Sequence, residues 1–174
     1  MGFDSETAFE SALIKCLVEE KGWKDGVIKY PTEKDLLDNW AKIIFENNRD
    51  IDRLGDFPMT DGEMAQIMGQ IAKLRTPLNL NGFINGGTVQ IIRDNENDTH
   101  NFKKTISLKI FDRNEIAAGR TRYQIAQQPK FKAKNSIYPN RRGDFCLLIN
   151  GMPVIHVELK KSNVPVSEAQ YQIR

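Results

Sequence analysis

Residues 141–174 read RRGDFCLLINGMPVIHVELKKSNVPVSEAQYQIR, and the way residues 141–160 pair decides the fold. Phe145-Cys146-Leu147-Leu148-Ile149 is a short apolar run, the pattern of a strand buried on both faces. Asn150-Gly151 follows, the dipeptide that best tolerates positive φ in a tight hairpin. Val154 to Lys160 is the returning strand, rich in β-branched residues. Side chains alternate along a strand, so His156, Glu158 and Lys160 share one face and Ile155, Val157 and Leu159 the other. Folding the hairpin about Asn150-Gly151-Met152 brings Asp144 level with Glu158, to within one residue of register.

Two carboxylates and an ammonium thus converge at the open end of an apolar hairpin. Like charges repel and raise each other's pKa unless a cation lies between them. Mg²⁺ suits such a pair, because it takes oxygen ligands, binds through one or two carboxylates and keeps several waters. A lysine beside it can orient a water or stabilise charge developing on a phosphate. The chemistry this predicts is metal-assisted hydrolysis of a phosphodiester. A plainer reading stands beside it: Glu158 and Lys160 as a surface ion pair on an edge strand, with Asp144 merely opening its own strand. Spacing alone weighs the two about equally. A Glu-x-Lys triplet means little by itself, since Glu19-Glu20-Lys21 is another, on a helix where residues two apart do not face each other.

The 174 residues suffice for one domain with a proper core. The net charge of +2 gives no polycationic signal for nucleic acid. Basic residues do cluster locally, however: Lys130, Lys132, Lys134, Arg141 and Arg142 lie just before Asp144. Such a run beside an acidic metal site attracts a phosphate backbone; a solvated loop is the alternative. Cys16 and Cys146 lie in apolar patterns and read as buried free thiols, which fits a reducing cytoplasm. With no signal peptide pattern and no apolar run long enough to cross a bilayer, the expected location is cytoplasmic, away from membrane.

Ser5 to Glu20 reads as a helix capped by Ser5 or Asp4, with Phe9, Ala12, Leu13, Cys16 and Leu17 as its stripe. Glu10 lies at the margin of that stripe, either solvated or aimed at the site. Asp35 to Asn47 is a second helix, and Thr60-Asp61-Gly62-Glu63 is a capping box opening a third that runs to about Leu74. Pro77 is expected to stop it, and Gly82 to Gly87 to be turns. Val89–Ile92, Thr105–Ile110 and Tyr123–Gln128 read as strands around a polar loop at Asp94–Asn101. No phosphate-binding glycine loop is present. The segment Ser167 to Arg174 has helix chemistry but stops after about two turns without a cap, which predicts a piece cut from a longer polypeptide; a native chain whose last helix frays is the alternative.

The wider wording carries a resemblance. Asp144 with Glu158-Leu159-Lys160 resembles the D…(D/E)xK motif of the restriction-endonuclease-like fold. Asn114 to Gln128, Arg142-Gly143-Asp144-Phe145, Asn150-Gly151-Met152-Pro153, Val157-Glu158-Leu159-Lys160-Lys161 and Glu168-Ala169-Gln170-Tyr171-Gln172-Ile173-Arg174 resemble the nuclease domain of type I restriction enzyme R subunits. Phe9-Glu10 through Gly22-Trp23 is similar to the family's opening helix, and residues 24–113 match only loosely.

The resemblance implies an α/β fold, a restriction-endonuclease-like mixed central sheet flanked by helices, with residues 1–174 one PD-(D/E)xK domain truncated within its C-terminal helix. Asp144, Glu158 and the Leu159 carbonyl are implied Mg²⁺ ligands. Lys160 is implied to act on the attacking water or the scissile phosphate, Gln172 to support the site, and Glu10 to match the helix-one acid. Lys130, Lys132, Lys134, Arg141 and Arg142 are the candidate DNA contacts. The implied substrate is double-stranded DNA, cut nonspecifically. ATP-driven motor domains belong to the full subunit, which joins methyltransferase and specificity subunits. Two departures stand out: His156 occupies a position that is usually aliphatic in the family, and the motif tyrosine lies beyond Arg174. A non-cleaving docking domain and another nuclease of the same fold are the competing readings.

Overall fold

A computed structural model of the chain describes residues 5–50, 52–74, 76–111, 121–132 and 141–160. The chain divides into two compact units. One joins Met1–Leu36 to Arg122–Arg174, and the other is Leu37–Thr121.

The first unit holds the predicted hairpin. Strands β1 (Val27–Lys29), β4 (Tyr123–Gln127), β7 (Phe145–Ile149) and β8 (Met152–Val157) form one sheet in the order β1-β4-β7-β8. β1 runs parallel to β4, and the other two pairings are antiparallel, so the sheet is mixed as expected. Helix α1 (Glu6–Glu20), capped by the Ser5 side chain, covers one face. There Ile14, with Phe9, Leu13, Leu17 and Val18, packs on Ile125, Phe145, Leu147 and Leu159. On the other face Leu36, in the first turn of α2 (Glu33–Asn47), packs with Ala126, Cys146 and Leu148. Consecutive β7 residues therefore face opposite apolar layers, which is why that strand reads as an unbroken apolar run. Burying a Leu or Phe side chain in such a layer contributes about 1.5–3 kcal/mol.

The turn is built as its residues dictate. Asn150 has φ 50° and Gly151 φ 84°, the paired left-handed conformation of a two-residue hairpin loop between Ile149 and Met152. Asn150 also anchors the entry to β4: its Oδ1 accepts the Arg122 N–H (2.9 Å), while its own N–H donates to the Arg122 carbonyl (2.9 Å). A register shift follows. Leu148 pairs with Pro153 but Leu147 with Ile155, leaving Val154 as a bulge. Pro153 is tolerated because β8 lies at the sheet edge.

The second unit contains the rest of α2, α3 (Asp61–Ile71), α4 (Pro77–Gly86) and the hairpin of β2 (Thr88–Ile92) with β3 (Thr105–Lys109). The expectation of turns after Pro77 is corrected here. Proline fits the first helical turn, where its missing N–H costs nothing; Thr76 caps the helix by accepting the Asn79 N–H, and Gly87 (φ 69°) closes it. The third helix opens on the predicted capping box, with Thr60 and Glu63 bonded reciprocally. Glu63 does more than cap. Its carboxylate takes the guanidinium of Arg93 (Nη1 to Oε2, 2.6 Å), and both side chains are 0% exposed. Arg93 also donates to Asp98 Oδ2 (2.9 Å) and to the Phe57 carbonyl (2.6 Å), so one buried cation organises the polar loop after β2. No helix among the described residues is long and apolar enough to cross a membrane.

Candidate active site

The site is assembled at the end of the sheet where β4 stops and β7 starts. The last ladder pair of the hairpin is Phe145–Val157, so Asp144 and Glu158 are the next residues on each strand. Asp144 stands level with Glu158 as expected, but by way of the Val154 bulge, since the two-residue turn alone would set Asp144 opposite Val157. The strand itself ends at Val157, three residues earlier than expected, because the Leu159 N–H leaves the ladder and donates to the Asp144 carboxylate. That bond holds the acid of β7 against the Glu-Leu-Lys segment.

Glu158 and Lys160 stay together past the strand end. Lys160 Nζ donates to Glu158 Oε1 (3.3 Å), with side-chain exposures of 18% and 7%. A pair this sheltered is screened by solvent less than an exposed one. The His156 ring lies on the same side, Nε2 3.9 Å from Glu158 Oε2. Its side chain is partly buried, 30% exposed, and rests against Gly143, where a Cβ would come within 2.5 Å of Nε2. Among the described residues no three His, Cys, Asp or Glu side chains gather as a metal-holding group. The oxygen donors at this corner are the carboxylates of Asp144 and Glu158.

Glu10 belongs to this end of the sheet and is not solvated. It is 4% exposed, because Glu10 and Ile14 lie at the centre of the buried face of α1, not at its margin. Gln127 Nε2 donates to Glu10 Oε1 (2.7 Å), and Gln128 Nε2 donates to Oε2 (3.0 Å) and Oε1 (3.3 Å). The Gln128 N–H in turn donates to the Asp144 carbonyl (2.7 Å). Sequence reading placed both glutamines in a strand without giving them a role. The signal available was a Gln-Gln pair ending an apolar strand in a chain whose first helix carries an acid within its apolar face.

The basic run is partly organised. β5 (Lys130–Phe131) pairs antiparallel with β6 (Arg141–Arg142), Lys130 opposite Arg142. Lys130 and Lys132 are exposed, and Lys130 Nζ lies 5.9 Å from the ring centroid of the exposed Tyr30. Lys134 and Gln172 lie outside the described residues. Cys146 is buried between β7 and the first turn of α2, and burial pushes its thiol up to about 11. Cys16 is only half-buried, less than its pattern predicts.

Comparison with known proteins gives the chain a family. The family described as Type I restriction enzyme R protein N terminus matches residues 4–174. The chain is 28% identical over 177 residues to the endonuclease subunit of type I restriction enzyme SsaAORF53P of Staphylococcus saprophyticus, which covers 99% of this chain and 16% of that protein. It is 27% identical over 176 residues to the endonuclease subunit of type I restriction enzyme SauCOLORF180P of Staphylococcus aureus, covering 100% of this chain and 17% of that protein. The chain thus spans about a sixth of the length of these curated relatives. It belongs to the family of type I restriction enzyme R protein N-terminal regions.

Proposed function

We propose that this chain is the Mg²⁺-dependent DNA endonuclease domain of a type I restriction enzyme R subunit. The observation that carries the reading is the bond from the Leu159 N–H to the Asp144 carboxylate, which ties Asp144 to the segment that holds Glu158 and Lys160. The donor set fits the ion. Both side chains are carboxylates, and a divalent cation held through two of them completes its shell with water, so a third acidic ligand is not required. The Leu159 carbonyl is the remaining oxygen of the proposed ligand set.

Bound there, Mg²⁺ supplies a Lewis acid at the scissile phosphate and a more acidic water. The protein supplies placement. Asp144 and Glu158 hold the ion. Lys160, paired with Glu158 in the structure, turns its ammonium to a phosphate oxygen and stabilises the charge that grows there. Lys130 and Lys132, with Lys134, Arg141 and Arg142, attract the duplex backbone without reading bases, which suits a nonspecific cut. In this reading Gln172 supports the site and Glu10 completes its acidic side. In the longer subunit, cleavage follows ATP-driven translocation by motor domains, and methyltransferase and specificity subunits choose the site. The expected location is the cytoplasm.

The test is nicking of supercoiled plasmid by this chain in Mg²⁺ or Mn²⁺, beside Asp144→Ala and Lys160→Ala. Cleavage abolished by both substitutions supports the assignment. Metal-independent cleavage, or cleavage that survives Asp144→Ala, rejects it. A chain that neither cleaves nor binds the metal by calorimetry supports the docking-domain reading instead.

A further inference from the structure

Gln128 carries more contacts than a residue leaving a strand needs. Consecutive strand side chains point to opposite faces, yet Gln127 and Gln128 both reach one carboxylate, that of Glu10. The left-handed backbone of Gln128 (φ 51°) makes this possible. That conformation is uncommon for a residue with a long side chain and costs on the order of 1 kcal/mol. A second cost is visible in the same side chain. Its Oε1 is buried with no hydrogen-bond partner, and rotating the amide to satisfy it would turn that oxygen onto the Glu10 carboxylate. Strain and an orphaned acceptor are both tolerated where one residue joins α1 to the start of β7. Its side chain holds Glu10, and its N–H holds the Asp144 carbonyl.

We infer that Gln128 is a positioning residue that locks Glu10 to Asp144, so that the two acids are presented as one rigid unit at the catalytic corner. The inference rests on the reading of that corner as a nuclease site. Gln127 shares the hold on Glu10 but has no bond to Asp144, so the coupling runs through Gln128. Amides donating to both oxygens of a carboxylate fix the direction in which it points.

The discriminating variant is Gln128→Asn. Asparagine accepts the left-handed backbone and keeps the main-chain N–H to Asp144, but is one methylene too short to hold the Glu10 carboxylate. In the full chain, amide hydrogen exchange is read at Leu159, whose N–H reports the Asp144 carboxylate, and at Cys146 and Leu147 within the ladder. Exchange at Leu159 is expected to rise about tenfold while the ladder amides stay within about twofold. Plasmid nicking is expected to lose about tenfold in kcat with little change in KM. Gln128→Gly, which relieves the backbone and removes the amide, is expected to behave the same way. Leu159 exchange at the wild-type rate in both variants overturns the inference, as does a uniform rise through β7, which would mark a general packing role. If Leu159 responds as expected but the wild-type chain cuts no DNA, the positioning role stands and the nuclease reading fails.

Discussion

The Asp144 carboxylate accepts the backbone N–H of Leu159, joining the residue before β7 to the segment that leaves β8. Leu159 is itself buried in the layer under α1, so an unmet N–H there has no water to turn to. Asp144→Ala is therefore expected to destabilise the metal-free chain by about 1–3 kcal/mol, the cost of a buried donor left unsatisfied. Asp144→Asn keeps an acceptor and should lose clearly less. Urea denaturation of the two variants checks this. Equal midpoints for Asp144→Ala and wild type would mean that the bond only accompanies the corner and does not build it.

Glu158 and Lys160 make a second stability experiment. With the Glu158 side chain 7% exposed, removing its ammonium leaves a sheltered anion without its partner. Lys160→Met should cost about 1–3 kcal/mol, and adding Glu158→Gln should recover most of it, because the charge that needed compensation is gone. A double-mutant cycle by urea unfolding measures the coupling. Additive losses would mean that the pair is solvated and that the plainer surface reading of the motif is right.

The two cysteines separate cleanly. Burial raises the Cys146 thiol to about 11, so at pH 8 it is almost wholly protonated and enclosed. Cys16 is half-buried on α1. Iodoacetamide at pH 8 should therefore add to the native chain at Cys16 only, and to both cysteines in denaturant. Peptide mass spectrometry reads the result. Rapid native labelling of Cys146 would contradict the packing of β7 against the first turn of α2.

Much of the corner was legible because the hairpin's register is fixed locally. Asn150-Gly151 sets the turn and the apolar run sets the faces, which brings Asp144 to within one residue of Glu158; the Val154 bulge supplies that last residue. Helix caps at Ser5 and Thr60 were legible for the same reason, since a cap is a contact between residues three apart. What escaped was the work of distant partners. Glu10 reads as marginal until β4 brings Gln127 and Gln128 to it across more than a hundred residues. Glu63 reads as a cap until Arg93 arrives beneath it. β1 escaped because three residues carry no periodicity; its place comes from pairing with β4. α4 was misread because Pro77 signals a stop and a first turn equally well, and Thr76 decides between them.

The buried Arg93 cluster sets how the second unit meets acid. Burial pushes the Asp98 carboxyl up, but hydrogen bonds from Arg93 and Asn101 outweigh it and hold the group below its ordinary value of 3.8. Asp35 is also held below 3.8, mainly by the Thr32 N–H and hydroxyl that cap α2, though it is exposed. A folded pKa below the unfolded one gives stability that is fully present above the unfolded value and is lost as pH falls through the folded value. Wild-type stability should thus decline below pH 3.8 in part because Asp98 takes a proton there. At neutral pH Asp98→Asn should cost about 3 kcal/mol, the low end for removing one partner of a buried ion pair, since Arg93 keeps Glu63 and the Phe57 carbonyl. The gap between wild type and Asp98→Asn should then narrow as the pH drops below 3.8. Urea midpoints measured from pH 6 down through that value test the sign, and a gap that widens in acid would mean that Asp98 is not the charged partner of Arg93 in solution.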